Sequence, residues 1–189
     1  MPMRFCLGLP NQAQQPSVDD SWTPIRYPRP LLVNLLVLLF GLPTCGIMVL
    51  LWILLTPVAN DPRVSIPALV VATVLIIPLH ELLHVLALPG FGRNCLIGLW
   101  PRQLILYIRY FGDLSRSRFI TVNAAPFLVL SVLPLLVCAS TGYSSVTIAY
   151  FSSLNAVGAG WDLYVIYMLL RQVPKAAIIR NQSHWKQMR

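Results

Sequence analysis

The chain has 189 residues, of which 57% are hydrophobic and only 11% are charged, and its mean hydropathy is +0.69. Soluble globular domains of this size rarely have such a composition, so we predict an all-α integral membrane protein. The formal net charge of +8 does not indicate nucleic acid as a partner, because the basic residues are not clustered among aromatic ones.

The first segment, 1–29, is predicted to be a flexible leader. The first 30 residues contain six of the sixteen prolines, together with Gln12, Gln14 and Gln15. This composition suits neither a packed core nor the apolar region of a signal peptide.

Four apolar stretches follow, and each is long enough to cross a bilayer, which takes about 20 helical residues. They run roughly from Pro30 to Thr56, Val64 to Leu88, Phe119 to Thr141 and Ser144 to Leu170. We therefore predict about four transmembrane helices in a membrane-embedded, metallopeptidase-like domain, 30–171, and a basic cytoplasmic tail, 172–189.

Basic residues are distributed unequally between the two sides that four spans create. Thirteen of the 14 Lys and Arg residues lie in the leader, between the second and third spans, or from Arg171 onward, whereas the other side has only Arg63. Because basic residues concentrate on the cytoplasmic side, both termini are predicted to be cytoplasmic. The predicted location is the cell membrane, whose lipid bilayer is a partner.

The second span ends in His-Glu-Leu-Leu-His, residues 80–84. On a helix, His80 and His84 lie within about 40° of each other, with Glu81 beside them. Two imidazoles can then bind one Zn²⁺ while the carboxylate faces a metal-bound water, which is the arrangement of a zinc hydrolase. Pro78 predicts a kink that opens the motif to water. The site should lie inside the membrane, towards its cytoplasmic face.

Two short segments between the second and third spans are rich in β-branched and aromatic residues. They are Cys95 to Trp100 and Gln103 to Tyr110, separated by Pro101-Arg102, and they predict a small β-hairpin. Extended backbone cannot face lipid, so the hairpin should lie at the interface or against protein. It either pairs with an unwound substrate by strand addition or is a simple connector.

Asp162 and Glu81 are the two acidic residues within apolar stretches. A carboxylate within a membrane costs at least about 2.5 kcal/mol, so it indicates function. Asp162 and His80 lie at similar distances from the cytoplasmic ends of their spans, which predicts Asp162 as the third zinc ligand. Two alternatives are open, since Asp162 could pair with an arginine or cap a helix broken in its glycine-rich surroundings.

Asn155 shares a predicted helix face with Gly158, Ala159 and Asp162. We predict that it contributes to catalysis by holding the scissile carbonyl or orienting the aspartate, with a hydrogen bond between helices as the alternative. The small residues on this face allow another helix to approach closely.

Other metal sites fit less well. The four cysteines, at positions 6, 45, 95 and 138, form no Cys-x-x-Cys pair, so neither a disulfide framework nor a thiolate zinc site is predicted. Histidines four residues apart on one helix cannot be opposite axial ligands of one haem iron.

The chain resembles the intramembrane zinc metalloproteases of the site-2 protease type and, more closely, the small zincin-type membrane peptidases catalogued as a domain of unknown function. The resemblance covers roughly residues 64–170, and rests on the motif 80–84, the Ala-Pro-Phe element 125–127 and the segment 155–162. Site-2 proteases usually follow their aspartate with glycine, whereas this chain has Leu163.

This resemblance implies cleavage of membrane-protein or peptide substrates, with His80, His84 and Asp162 as zinc ligands and Glu81 as the base. The predicted function is therefore that of a zinc-dependent intramembrane or membrane-proximal endopeptidase. A non-catalytic zinc-binding membrane protein and a divalent-metal transporter are the alternatives. Glu81 discriminates among them, because binding needs only ligands whereas hydrolysis needs a base that is not a ligand.

Overall fold

A computed structural model describes residues 4–8, 18–56, 65–100, 105–143 and 145–187 of the chain, and helices dominate it. The helices are α1 Pro30–Leu55, α2 Ile66–Ala87, α3 Arg116–Phe127, α4 Leu133–Thr141, α5 Val146–Gly158 and α6 Gly160–Gln172, with a π-helical turn, Leu128–Val132, between α3 and α4. The strands are β1 Arg4–Leu7, β2 Thr23–Pro24, β3 Cys95–Trp100, β4 Ile105–Tyr110, β5 Asp113–Ser115, β6 Ala177–Arg180 and β7 His184–Gln187.

Three helical segments are long and apolar enough to cross a membrane, namely Leu32–Leu55, Ile66–Ala87 and Arg116–Thr141. Many large apolar side chains of the first two are exposed, as expected of surfaces that face lipid. The chain is therefore a multi-pass membrane protein.

The predicted fourth span is not one continuous helix. α5 ends at Gly158 and α6 begins at Gly160, and each helix has 13 residues, fewer than the roughly 20 that a span needs. The interruption is short, because the Ala159 N–H still donates to the Asn155 carbonyl at 2.9 Å. A membrane crossing by α5 and α6 together stays a prediction.

The contacts divide the chain into two compact units. The helical unit consists of Pro28–His80 and Ala124–Val165. Within it, α1 approaches the interruption between α5 and α6 so closely that a Cβ on Gly160 would lie 2.3 Å from the Val37 carbonyl oxygen. The close approach occurs at Gly160, which does not belong to the predicted small-residue face, whereas a Cβ on Gly158, which does, would have nothing within 4 Å. A buried cluster packs beside it, formed by Met48, Trp52, Leu135, Cys138 and Ala156.

The sheet-containing unit consists of the described residues within Met1–Tyr27, Glu81–Asn123 and Ile166–Arg189. One sheet has the order β1-β3-β4, with β3 parallel to β1 and antiparallel to β4. The other sheet has the order β2-β7-β6-β5, and all its pairings are antiparallel.

The two predicted extended segments are the paired strands β3 and β4, in register from Cys95 opposite Tyr110 to Trp100 opposite Ile105. Gln103 and the predicted turn Pro101-Arg102 lie outside the described residues. The interfacial position of this pair stays a prediction.

The all-α class predicted from the sequence is too narrow. The described parts of the predicted leader, 1–29, contain β1 and β2, and those of the predicted tail, 172–189, contain β6 and β7. These strands have only two to four residues. Such short segments have no recognisable periodicity, and each is stabilised by a partner far away in the sequence.

An exposed ion pair joins neighbouring strands of the second sheet. Arg180 donates through Nε and Nη2 to the two carboxylate oxygens of Asp113, each at 2.7 Å. The guanidinium also lies 4.3 Å from the centroid of the Trp22 ring. The hydrogen bond to Asp113 raises the pKa of Arg180.

Candidate metal centre

His80 lies on α2, two residues after the helical Pro78, and both of its ring nitrogens have partners in the helical unit. Nδ1 is 2.9 Å from Asn155 Oδ1, and Nε2 is 2.9 Å from Asp162 Oδ2. The His80 ring therefore lies between two side chains that are seven residues apart, on α5 and α6. The similar depths predicted for His80 and Asp162 agree with this contact.

The partners of Asn155 determine which ring nitrogen of His80 carries hydrogen. Asn155 Nδ2 donates to the Pro126 carbonyl at 3.1 Å and to Ser131 Oγ at 2.9 Å, so both of its hydrogens are used. Its Oδ1 can only accept, and His80 Nδ1 must therefore donate to it. In a neutral ring this leaves the lone pair on Nε2. The 2.9 Å contact of Nε2 with the Asp162 carboxylate then requires a proton or a metal cation shared by the two atoms.

His84 lies one turn further along α2 and is oriented in the same way by a backbone group. Its Nδ1 is 2.8 Å from the carbonyl oxygen of Val122. A carbonyl only accepts, so Nδ1 donates and Nε2 has the lone pair. Metal-ligating histidines usually donate their second ring N–H to such an oxygen, which holds the ring in place.

Asp162 lies in the first turn of α6, immediately after the interruption of the helix. The positive end of the helix dipole favours a carboxylate in the first turn of a helix. Its side chain is only 9% exposed. The alternative that Asp162 caps a broken helix stays a prediction, whereas its contact with His80 at 2.9 Å provides the predicted link to the motif.

A chain of buried polar groups continues from Asn155 through the helical unit. Ser131 Oγ donates to the Ser152 carbonyl at 2.8 Å, Ser152 Oγ donates to the Ser131 carbonyl at 2.9 Å, and Trp52 Nε1 donates to Ser152 Oγ at 3.0 Å. Sequence analysis missed these residues. Single serines and a tryptophan are common in apolar helices. The sequence distinguished the two serines only as polar residues within apolar runs.

Comparison with known families identifies the relationship of the chain. The family described as "Putative zincin peptidase" matches residues 73–178, which include His80, Glu81, His84 and Asp162. The chain belongs to this family. No curated protein and no solved structure matches it.

Zincin peptidases use zinc, and the residues of this chain fit that metal. One ligand atom from each of His80, His84 and Asp162 lies within 4.8 Å of the others, and no other group of three such residues occurs in the described parts of the chain. Two imidazole nitrogens and a carboxylate oxygen form a common catalytic zinc donor set, which leaves one position open.

Glu81 and the other side chains that could bind a metal lie outside this donor set. Glu81 follows His80 on α2, is partly buried, and does not belong to the group of three. His184 lies on β7, where its ring nitrogen Nδ1 is 2.9 Å from Ser183 Oγ. Burial raises the pKa of the Cys95 thiol, which disfavours the thiolate that zinc would need.

The structure brings Asn155 to a partner that the sequence analysis did not consider. Its amide contacts the His80 ring, the Pro126 carbonyl and Ser131, and Asn155 is only 1% exposed. Helical spacing placed Asn155 on the correct face, but could not indicate which neighbouring side chain it would meet.

Proposed function

We propose that this protein is a zinc-dependent endopeptidase that cleaves membrane-protein substrates within or close to the bilayer. The donor set carries the proposal: His80 and His84 each donate Nδ1–H to a protein oxygen and keep Nε2 for a metal, and Asp162 supplies the oxygen. Membership of a zincin peptidase family and three helices suited to crossing a membrane support it.

The residues have separate roles in this proposal. His80, His84 and Asp162 hold zinc, which when bound supplies a Lewis acid that activates water. Glu81 accepts the proton of the attacking water and passes it to the departing amine. The interruption between α5 and α6 presents Asp162 from a helix end.

Both termini lie in the cytoplasm in this proposal, with the turn near Gly142 on the opposite side. The distribution of basic residues, thirteen on one side and one on the other, supports this orientation. Fusions of a reporter that is active only outside the cytoplasm should stay silent at both termini and become active after Gly142. Activity at residue 189 would contradict the orientation.

The test of the enzymatic role is Glu81→Gln. Glutamine preserves the size of the side chain and most of its hydrogen bonding but cannot accept the proton of water. The variant should fold, retain zinc, and lose hydrolysis of a single-span substrate in liposomes by at least about 100-fold. Wild-type activity should disappear with a chelator and return with zinc.

The control variant is Asp113→Asn, which changes an exposed carboxylate of the second sheet and should cleave as fast as wild type. Equal cleavage by Glu81→Gln and wild type would refute the hydrolytic mechanism. The transporter alternative is tested in the same liposomes with a zinc-sensitive dye inside. Zinc uptake without cleavage would support transport instead.

A further inference from the structure

We propose that Ser131 and Asn155 are positioning residues that together set the tautomer and orientation of His80. Neither residue needs to touch the substrate for this role. The proposal rests on the proposed function, because it concerns the same metal centre, and it adds Ser131 of the π-helical turn to that centre.

The orientation of the Asn155 amide decides which tautomer His80 adopts. With Oδ1 towards the ring, as observed at 2.9 Å, Nδ1 carries the hydrogen and Nε2 is available as a ligand. With the amide reversed, Nδ2 would donate to Nδ1, and the neutral ring would carry its hydrogen on Nε2 instead. That ring could not bind a metal through the atom that faces Asp162.

Two acceptors oppose reversal of the amide. The Pro126 carbonyl can only accept, and it lies 3.1 Å from Asn155 Nδ2. Ser131 Oγ could in principle donate, but its hydrogen is already given to the Ser152 carbonyl at 2.8 Å. Ser131 Oγ therefore accepts the second hydrogen of Asn155 Nδ2. Reversal of the amide would place Asn155 Oδ1 against Ser131 Oγ, so that two acceptors would face each other.

Water is poorly placed to replace either group. Ser131 is 0% exposed and Asn155 is 1% exposed, so a lost hydrogen bond leaves a buried polar atom unpaired. An unpaired buried polar atom is strongly unfavourable. Burial of both side chains therefore stabilises the hydrogen bond from Asn155 Nδ2 to Ser131 Oγ.

The π-helical turn, Leu128–Val132, contains Ser131. The Leu133 N–H donates to the Leu128 carbonyl, five residues back, and Pro134 follows without an N–H of its own. Such wide turns are rare and often occur at functional sites. Here the turn includes the serine whose hydroxyl contacts Asn155.

Ser152→Ala distinguishes the positioning of His80 from a general loss of packing among the helices. It removes the hydroxyl that pairs with Trp52 and with the Ser131 carbonyl, but retains the Ser152 backbone carbonyl that accepts from Ser131. Ser152→Ala should therefore lower stability and leave His80 unchanged. Ser153→Ala, at a serine with 8% exposure, is a second control.

The experiment compares Ser131→Ala and Asn155→Leu with these controls in the full-length protein. Nitrogen-15 NMR of labelled histidine rings reports the tautomer with and without zinc, and only three histidines contribute. Competition with a chelator gives the Zn²⁺ affinity. Asn155→Leu should lose the Nδ1–H signature of His80 and bind Zn²⁺ about 10–100-fold more weakly. Ser131→Ala keeps the bond from Asn155 Nδ2 to the Pro126 carbonyl, so it should shift the His80 signal and weaken Zn²⁺ binding by less, whereas both controls should match wild type.

The proposal is overturned if Asn155→Leu keeps the wild-type ring signature and Zn²⁺ affinity, or if Ser131→Ala has no larger effect on them than Ser152→Ala. The proposed function fails in a different way. A wild type that shows the predicted tautomer and binds Zn²⁺ but cleaves nothing would refute the peptidase and leave the positioning roles intact. If the wild type does not bind zinc, the nitrogen-15 spectrum of the metal-free protein still tests the hydrogen bond between Asn155 and His80.

Discussion

A buried series of polar side chains in the helical unit contrasts with an exposed ion pair in the sheet-containing unit. In the helical unit, Trp52, Ser152, Ser131 and Asn155 form a buried series of hydrogen bonds that ends at His80. In the sheet-containing unit, the Arg180 and Asp113 side chains are 28% and 40% exposed. Buried polar groups are costly to leave unpaired, whereas exposed ion pairs are readily replaced by water. Substitutions should therefore have large effects along this buried series and small ones at the exposed ion pair.

The largest expected difference is between Asp162→Ala and Asp113→Ala. Asp162→Ala removes one of three metal ligands and should weaken Zn²⁺ binding by more than about 100-fold, because even loss of an outer partner costs 10–100-fold. Asp113→Ala should leave the affinity unchanged. Chelator competition on both purified proteins measures this, and tight stoichiometric zinc in Asp162→Ala would exclude Asp162 as a ligand.

Gly160→Ala and Gly158→Ala compare two glycines beside the same interruption. A Cβ on Gly160 would lie 2.3 Å from the Val37 carbonyl, whereas a Cβ on Gly158 has nothing within 4 Å. Gly160→Ala should destabilise the protein by about 1–3 kcal/mol through forced separation of the helices. Gly158→Ala should be neutral or slightly stabilising, since alanine favours helix. Denaturation in detergent measures both, and equal stabilities would contradict the close contact with α1.

Trp52→Phe tests the far end of the buried series. Phenylalanine keeps most of the apolar contact but loses the hydrogen bond from Nε1 to Ser152 Oγ, at a cost of about 0.5–1.5 kcal/mol. Zinc affinity should stay at the wild-type value, because Ser131 and Asn155 keep their bonds. A lower affinity would mean that the orientation of His80 depends on the whole series.

The smallest effect is expected for Arg180→Ala, which removes an exposed ion pair and the contact with the Trp22 ring. Each interaction contributes at most about 1 kcal/mol at such a site. The loss should shrink further at high salt, because ions screen exposed charges. Thermal melting at low and high salt checks this, and a large loss that is independent of salt would mean that the pair acts as a buried one.

The grouping of His80, His84 and Asp162 could be predicted from the sequence because its signals are local or depend on depth. His80 and His84 are related by one helical turn, and an acidic residue in an apolar span is conspicuous at Asp162. The long apolar helices were equally clear, because their lengths match the thickness of a bilayer.

The sequence did not reveal features that depend on partners far along the chain. Ser131 bonds to a carbonyl 21 residues away, and β2 has two residues that pair with β7. A helix broken near Ala159 was one of the alternatives that the sequence left open, because the neighbouring glycines are compatible with both a continuous and a broken helix. In each case tertiary contacts decide the structure, and no periodic pattern reports them.

Zinc K-edge X-ray absorption of the purified full-length protein tests the metal centre most directly. The account predicts about one zinc per chain with nitrogen and oxygen ligands at roughly 2.0–2.2 Å, and a changed spectrum in His84→Ala. A sulfur ligand at about 2.3 Å would assign the metal to the cysteines. That result, or an unchanged spectrum in both His84→Ala and Asp162→Ala, would contradict the site formed by His80, His84 and Asp162.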